Sequence, residues 1–427
     1  MLADVKKRFP VDEDRVYLTG LSMGGGGTLW LGLTRPDVWA AIAPVCAAAP
    51  RGATELAPNA LQLPVHLFHG DLDPVVPVEG SREWHKRLLQ SGARAEYIEY
   101  PGVRHNSWDN AYKNAAIFDW FARHRRNRYP ERVRFVTRQY RYNSAYWVHL
   151  DGFTPGQLAS VDVRFTGRNQ LAAETANLDG FTLNLDGHPL SEPGKPVAVT
   201  VDGSRVQASA QGPFSFHRTA QGWRAGRWVP APADKRPGAE GPLAEAVASR
   251  HLYVYGTADS PSPDELRRRR EQAAHAADWT GLRARLLLNL RVAADKDVRE
   301  ADLRGANLVL FGTRETNSLI ARHGDQLPLE LNAGAADYGL VFVAHAGGRY
   351  LLVSSGLPWW TGADQVKRGG FRFLPGAFAV LLTMGDFLLF KGSLENVVAE
   401  GLFDGHWKTP AVDAARIAAT GAVRVRP

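Results

Sequence analysis

The chain has 427 residues, 44% hydrophobic and 22% charged, a balance that supports packed cores and excludes a disordered chain. The formal net charge of +7 is spread along the sequence, so it reads as a solvated surface and not as a nucleic-acid site. A single cysteine, Cys46, excludes an internal disulfide and a cysteine-based metal site, and no apolar run reaches the roughly 18 residues of a membrane span.

In chain order, Leu2, Val5 and Phe9 lie at helical spacing, and Pro10 ends that helix. The opening MLADVKKRFP carries no signal-peptide core, which leaves the compartment open. Residues 15–19 (RVYLT) read as a short apolar strand that runs into GLSMGGGG, residues 20–27. A helix leaves through residues 28–33. Residues 40–45 and 63–68 read as buried strands, 79–90 as a helix, 96–100 as a strand and 110–124 as a helix. This alternation over residues 1–127 implies a parallel sheet covered by helices on both faces.

The pattern then changes. Short alternating strands at 161–165, 181–185 and 197–201 are separated by Asp-Gly turns at 151, 179, 186 and 202. Residues 128–229 therefore read as an antiparallel β-sandwich-like domain. Residues 230–238 (PAPADKRPG) read as a linker. Over residues 239–427 α/β character returns, as a second α/β domain of unassigned role. It has strands at 251–255 and 307–311, and a helix opened by Ser262-Pro263-Asp264-Glu265 that runs to about Trp279. A helix near 316–322 and strands near 339–343, 350–354 and 387–390 follow.

The chemistry concentrates in the first segment. In G-x-S-x-G the serine sits on a tight strand-to-helix turn, flanked by Gly20 and Gly24, because the backbone there is crowded. Ser22 would then stand above the carboxyl edge of the sheet, and the Met23 N–H would supply one oxyanion donor. Gly25 to Gly27 would let the helix approach the sheet closely. HGDLDPVVP (69–77) and YPGVRHNSW (100–108) follow the next strands, in the chain order Ser, Asp, His. Ser22, Asp73 and His105 are thus the candidate triad: nucleophile, orienting acid and general base. Asp71 reads as a turn residue, His66 and His69 as packed near a strand end, Trp108 as packing the histidine loop or walling the substrate, and Asn106 as a helix cap.

GLSMGG, HGDLDPVVP and GVRHNSW resemble the α/β-hydrolases of the prolyl oligopeptidase and bacterial esterase group, also called predicted peptidases. The resemblance covers residues 1 to about 125. It implies a partial α/β-hydrolase sheet from the nucleophile strand onward, a serine hydrolase of ester or peptide bonds, and no cofactor or metal. In that group the acid is Asp73, not Asp71. The group's sheet has further strands before the nucleophile, and its second oxyanion donor comes from them. The sequence therefore reads as an N-terminally truncated member, with weak or absent turnover as an expectation. A non-catalytic alternative is a carbohydrate- or protein-binding module, motivated by Trp223, Trp228, Trp359 and Trp360. Arg267 to Arg270 cannot all share one helix face and read as a solvated helix. Gly256-Thr257 and Gly24 to Gly27 lack the lysine of a phosphate loop.

Overall fold

The computed structural model describes residues 2–49, 52–209, 211–279, 290–366 and 376–426. The chain divides into two compact units, Met1–Val229 and Pro230–Pro427.

The first unit opens with helix α1 (Leu2–Arg8) and then a four-stranded parallel sheet. Its strands are β1 (Tyr17–Leu21), β2 (Ala41–Val45), β3 (Val65–Gly70) and β4 (Ala95–Tyr100), adjacent in that order. β2 and β3, reading AIAPV and VHLFHG, are buried along their whole length, as expected of strands covered on both faces. Helices α2 (Met23–Thr34) and α3 (Glu79–Gln90) bury Leu29, Leu33, Trp84 and Leu88 in one core. Helices α4 (Trp108–Ala111) and α5 (Ala116–Ala122) contribute Ala111, Ile117, Trp120 and Phe121 to a second core with Phe68.

The helix expected over 110–124 is broken. Asn114 (φ 54°) and Ala115 (φ 62°) take left-handed backbone between α4 and α5. Asparagine tolerates that conformation, so the break falls where the sequence supplies it. Tyr112, just before the break, brings its hydroxyl within 2.6 Å of the Thr19 hydroxyl on β1.

His66 on β3 lies between the rings of Phe68 and Trp120, with centroids 4.1 and 5.0 Å away. Neither ring nitrogen has a hydrogen-bond partner among the described residues. Burial holds its pKa below the ordinary imidazole value, against the pull of Glu96. The unfolded chain therefore binds that proton more readily. Stability is full above about pH 6.5 and falls as the pH drops below it. His66→Phe is expected to shrink the fall in Tm between about pH 7.5 and about pH 5.5, the window around the free imidazole pKa. Thermal melts at both pH values test this, and an unchanged difference would contradict it.

The rest of the first unit is a sandwich of two five-stranded sheets. They share a core that includes Phe135, Val161, Leu171, Phe181, Phe216 and Trp223. One pairing departs from the antiparallel expectation: Val197–Val201 runs parallel to Gln170–Ala176. Between them the chain crosses to the other sheet as Gly180–Leu183, which gives it length to return in the same direction. Buried Asn59 joins the two parts of the unit. Its amide donates to Leu33 O and Val136 O, and its carbonyl accepts from Val136 N.

The second unit is built on a seven-stranded mixed sheet. Val292–Ala294, His251–Tyr255, Asn307–Phe311 and Arg349–Gly356 run parallel; Tyr338–Ala346, Phe387–Lys391 and Val397–Gly401 continue it antiparallel. Helix Pro263–Ala277 begins as its sequence implies, with the Ser262 hydroxyl accepting from Glu265 N at 3.3 Å. Of the arginine run, Arg269 turns back onto Asp259, while Arg267, Arg268 and Arg270 are exposed.

Two sequence readings need correction here. The segment taken as a linker contains Lys235, which is fully buried. Its ammonium donates to Asp386 Oδ2 at 2.6 Å and Phe403 O at 2.9 Å, and lies 4.9 Å over the Trp407 ring. Trp223 and Trp359 are core residues, their indole N–H groups bonded to Asp202 and Ala377 O, so they offer no surface platform. Trp228 lies over Gly152 and Gly180, and Trp360 packs edge-on against Trp359.

Candidate active site

The site forms at the carboxyl ends of β1, β3 and β4. Strand β1 runs directly into Ser22, which opens α2 with φ 53° and ψ −117°. A non-glycine residue at positive φ is strained and persists only where its surroundings fix it. Here Ser22 N donates to Val45 O, and Ser22 O accepts from Gly26 N and Ala48 N, all at 3.0 Å.

The glycines divide by function. A Cβ at Gly20 would lie 2.5 Å from Gly24 O, one at Gly25 would lie 2.5 Å from Val45 O, and one at Gly26 would lie 2.1 Å from Ala48 O. These three allow the turn and the close approach of α2 to the end of β2. At Gly24 and Gly27 a Cβ meets nothing within 4 Å. The sequence expectation that both flanking glycines are forced by crowding therefore holds at Gly20, which faces the Gly24 carbonyl, and not at Gly24 itself. Gly27→Ala is expected to be neutral or stabilising by up to about 1 kcal/mol, because alanine is the better helix former. Gly26→Ala is expected to destabilise the first unit clearly. Urea midpoints of the two variants test the contrast, and equal midpoints would contradict it.

Met23 is the first residue of α2, so its N–H has no acceptor within the helix. Its side chain is exposed, as are those of Leu21, Leu72 and Val75, so the residues flanking Ser22 and Asp73 are largely apolar.

His105 sits in the loop after β4. Its Nε2 is 3.1 Å from Ser22 Oγ and its Nδ1 is 2.8 Å from Asp73 Oδ2. The Asp73 side chain is fully buried. Burial pushes its carboxyl up, but the His105 N–H and the Val76 and Val75 amides outweigh this and hold it below the ordinary carboxylate value. The carboxylate therefore stays ionised and acceptor-only, which fixes the His105 proton on Nδ1 and leaves Nε2 to accept from Ser22. The structure thus brings Ser22, Asp73 and His105 into one hydrogen-bonded line.

The neighbouring residues follow. Asp71 lies apart from the line and accepts from Gly102 N at 2.7 Å, which fastens the two loops together. Trp108 packs edge-on against His105, with centroids 5.4 Å apart. Asn106 does not cap α4; its amide donates to the Asp109 carboxylate. At Gly70 a Cβ would lie 2.3 Å from Val103 O, so glycine there lets the histidine loop cross close over β3.

Sequence reasoning missed two residues. His69, read as packing, has Nε2 3.2 Å from Asp73 Oδ2 and Nδ1 2.7 Å from the Ser81 hydroxyl. Cys46, at the end of β2, presents its thiol with Asp73 and His105 atoms, all within 4.8 Å of one another. That trio has donor atoms of metal-ligand type, but Asp73 and His105 are already engaged with each other. Burial pushes the Cys46 thiol up, against the Ser22 backbone and the Ser107 hydroxyl, which disfavours its thiolate.

Residues 2–118 match the phospholipase/carboxylesterase family. Cutinase 1 of Thermobifida cellulosilytica is 34% identical over 100 residues, which are 23% of this chain and 36% of the cutinase. Acyl-protein thioesterase 1 of Mycosarcoma maydis is 30% identical over 115 residues, 25% of this chain and 48% of the thioesterase. The crystal structure of a thermostable esterase aligns at 33% identity over 29% of this chain and 35% of its own, with a TM-score of 0.27. The chain thus spans less than half the length of these relatives. The N-terminal part of the chain is thus similar to hydrolases of the α/β type that include esterases and carboxylesterases.

Proposed function

We propose that the first unit is a serine esterase that cleaves carboxylic esters with apolar acyl groups through an acyl-enzyme. The observation that carries this is the unbroken line Ser22 Oγ, His105 Nε2, His105 Nδ1, Asp73 Oδ2 on a strained elbow. His105 takes the Ser22 proton as Oγ attacks the carbonyl carbon. The Met23 N–H receives the developing oxyanion. His105 then returns the proton to the leaving alkoxide as the ester C–O bond breaks. Water, deprotonated by His105 in the same way, releases the acid and restores Ser22. Asp73 holds the tautomer and stabilises the imidazolium. Trp108 walls the substrate beside His105, and the exposed Leu21, Met23, Leu72 and Val75 receive the acyl chain.

The likeness to prolyl oligopeptidase-type hydrolases, carried by GLSMGG, HGDLDPVVP and GVRHNSW, favours peptide bonds as the second reading. An ester and an anilide of the same acyl group separate the two. The expected result is hydrolysis of p-nitrophenyl butyrate with none of butyryl p-nitroanilide. Faster cleavage of the anilide would overturn the ester reading in favour of a peptidase.

A further inference from the structure

We infer that His69 is a positioning residue, holding the Asp73 carboxylate through the oxygen that His105 also bonds, and that Ser81 on α3 fixes its tautomer. The inference rests on the proposed roles of Ser22, Asp73 and His105.

His69 is the penultimate residue of β3, and its side chain is fully buried. Its Nε2 faces two groups, Asp73 Oδ2 at 3.2 Å and Val76 O at 3.1 Å. A carboxylate and a carbonyl only accept, so Nε2 carries the proton. In the neutral ring Nδ1 is then the acceptor, and the Ser81 hydroxyl, buried at 2.7 Å, donates to it. Asp73 thereby has a donor for every direction. Val75 N and Val76 N bond Oδ1, while His105 Nδ1 and His69 Nε2 share Oδ2.

The geometry makes His69 more than packing. Asp73 lies in the loop after β3, and its two amide partners come from that same loop. His69 ties the carboxylate to the sheet, and Ser81 ties His69 to α3. The line from α3 to the nucleophile therefore reads Ser81, His69, Asp73, His105, Ser22. Without the His69 N–H, Oδ2 would keep its bond to His105 but lose the anchor that sets its direction. A small misplacement at that point passes to the imidazole that must reach Ser22.

The test compares His69→Leu, His69→Gln and Ser81→Ala with the parent chain, using p-nitrophenyl butyrate kinetics and the low-field proton resonance of His105 Nδ1–H. His69→Leu is expected to lower kcat by about 10- to 100-fold with KM unchanged, the scale of a catalytic group displaced by a fraction of its contact distance. His69→Gln keeps an N–H near Nε2 and is expected to recover most of the loss. Ser81→Ala leaves the ring in place and is expected to lower kcat less than His69→Leu. The low-field resonance is expected to move in His69→Leu and to return toward its parental position in His69→Gln. A parental kcat in folded His69→Leu, or His69→Gln as impaired as His69→Leu, would overturn the inference. So would a resonance that no His69 variant moves. If Ser22→Ala kept full activity while the resonance still followed His69, the bonds from Ser81 to His105 would stand and the reading of Ser22 as nucleophile would fall.

Discussion

Ser22→Ala is expected to lower kcat for p-nitrophenyl butyrate by at least about 10,000-fold, the scale on which losing a serine nucleophile removes turnover in enzymes of this chemistry. The elbow is the reason for so large an effect. Ser22 is held at positive φ by backbone bonds from Val45, Gly26 and Ala48, none of which involves its hydroxyl. Alanine at 22 keeps those bonds, so circular dichroism and Tm are expected to match the parent while turnover vanishes. His105→Ala is expected to cost a similar factor, and the double variant little more than either single one, because the two groups act in one step. Additive losses would mean that Ser22 and His105 do not act on the same proton.

Lys235→Met is expected to destabilise the second unit by about 3–5 kcal/mol, the cost of leaving a buried charge without its partner. Both side chains of the Lys235–Asp386 pair are fully buried, and burial pushes the Asp386 carboxyl up against the pull of the ammonium. The pair fastens the segment before Ala239 to the start of Phe387–Lys391, and Gly241 leaves room for the second carboxylate oxygen, which a Cβ there would meet at 2.1 Å. Lys235→Met/Asp386→Leu is expected to recover most of the loss, because an apolar pair needs no desolvation of charge. Asp234→Ala, which removes the partner of the exposed His406, is expected to change little by comparison. Hydrogen exchange of the amides in Phe387–Lys391 measures all three in the intact chain. A loss for Lys235→Met no larger than that for Asp234→Ala would contradict the role given to the pair.

Much of this was legible in the sequence where one local rule acts. Glu79–Gln90, Val197–Val201, His251–Tyr255 and Asn307–Phe311 fall on the residues their patterns mark, because periodicity and flanking turn residues agree there. The approach of Ser22, Asp73 and His105 followed from three loops at the carboxyl ends of parallel strands β1, β3 and β4. What was not legible depends on partners far along the chain. Lys235 sits among prolines and alanines, and nothing local distinguishes a solvated lysine from one that meets Asp386. His69 has the strand-end look of a packed histidine, and its bond to Ser81 requires α3 to fold over β3. The parallel pairing of Val197–Val201 depends on a crossing to the other sheet, and strand patterning is blind to direction. The glycine run showed crowding, but which glycines are crowded depends on Ala48 and Val45 across the turn.

The central claim is that Ser22 is a nucleophile activated by His105. A fluorophosphonate probe followed by peptide mapping tests it most directly, because phosphonylation needs the activated hydroxyl and no particular substrate. The expected result is one label on Ser22 in the parent chain, none in Ser22→Ala, and strongly slowed labelling in His105→Ala. An unlabelled parent chain, or a label on a residue other than Ser22, would contradict it.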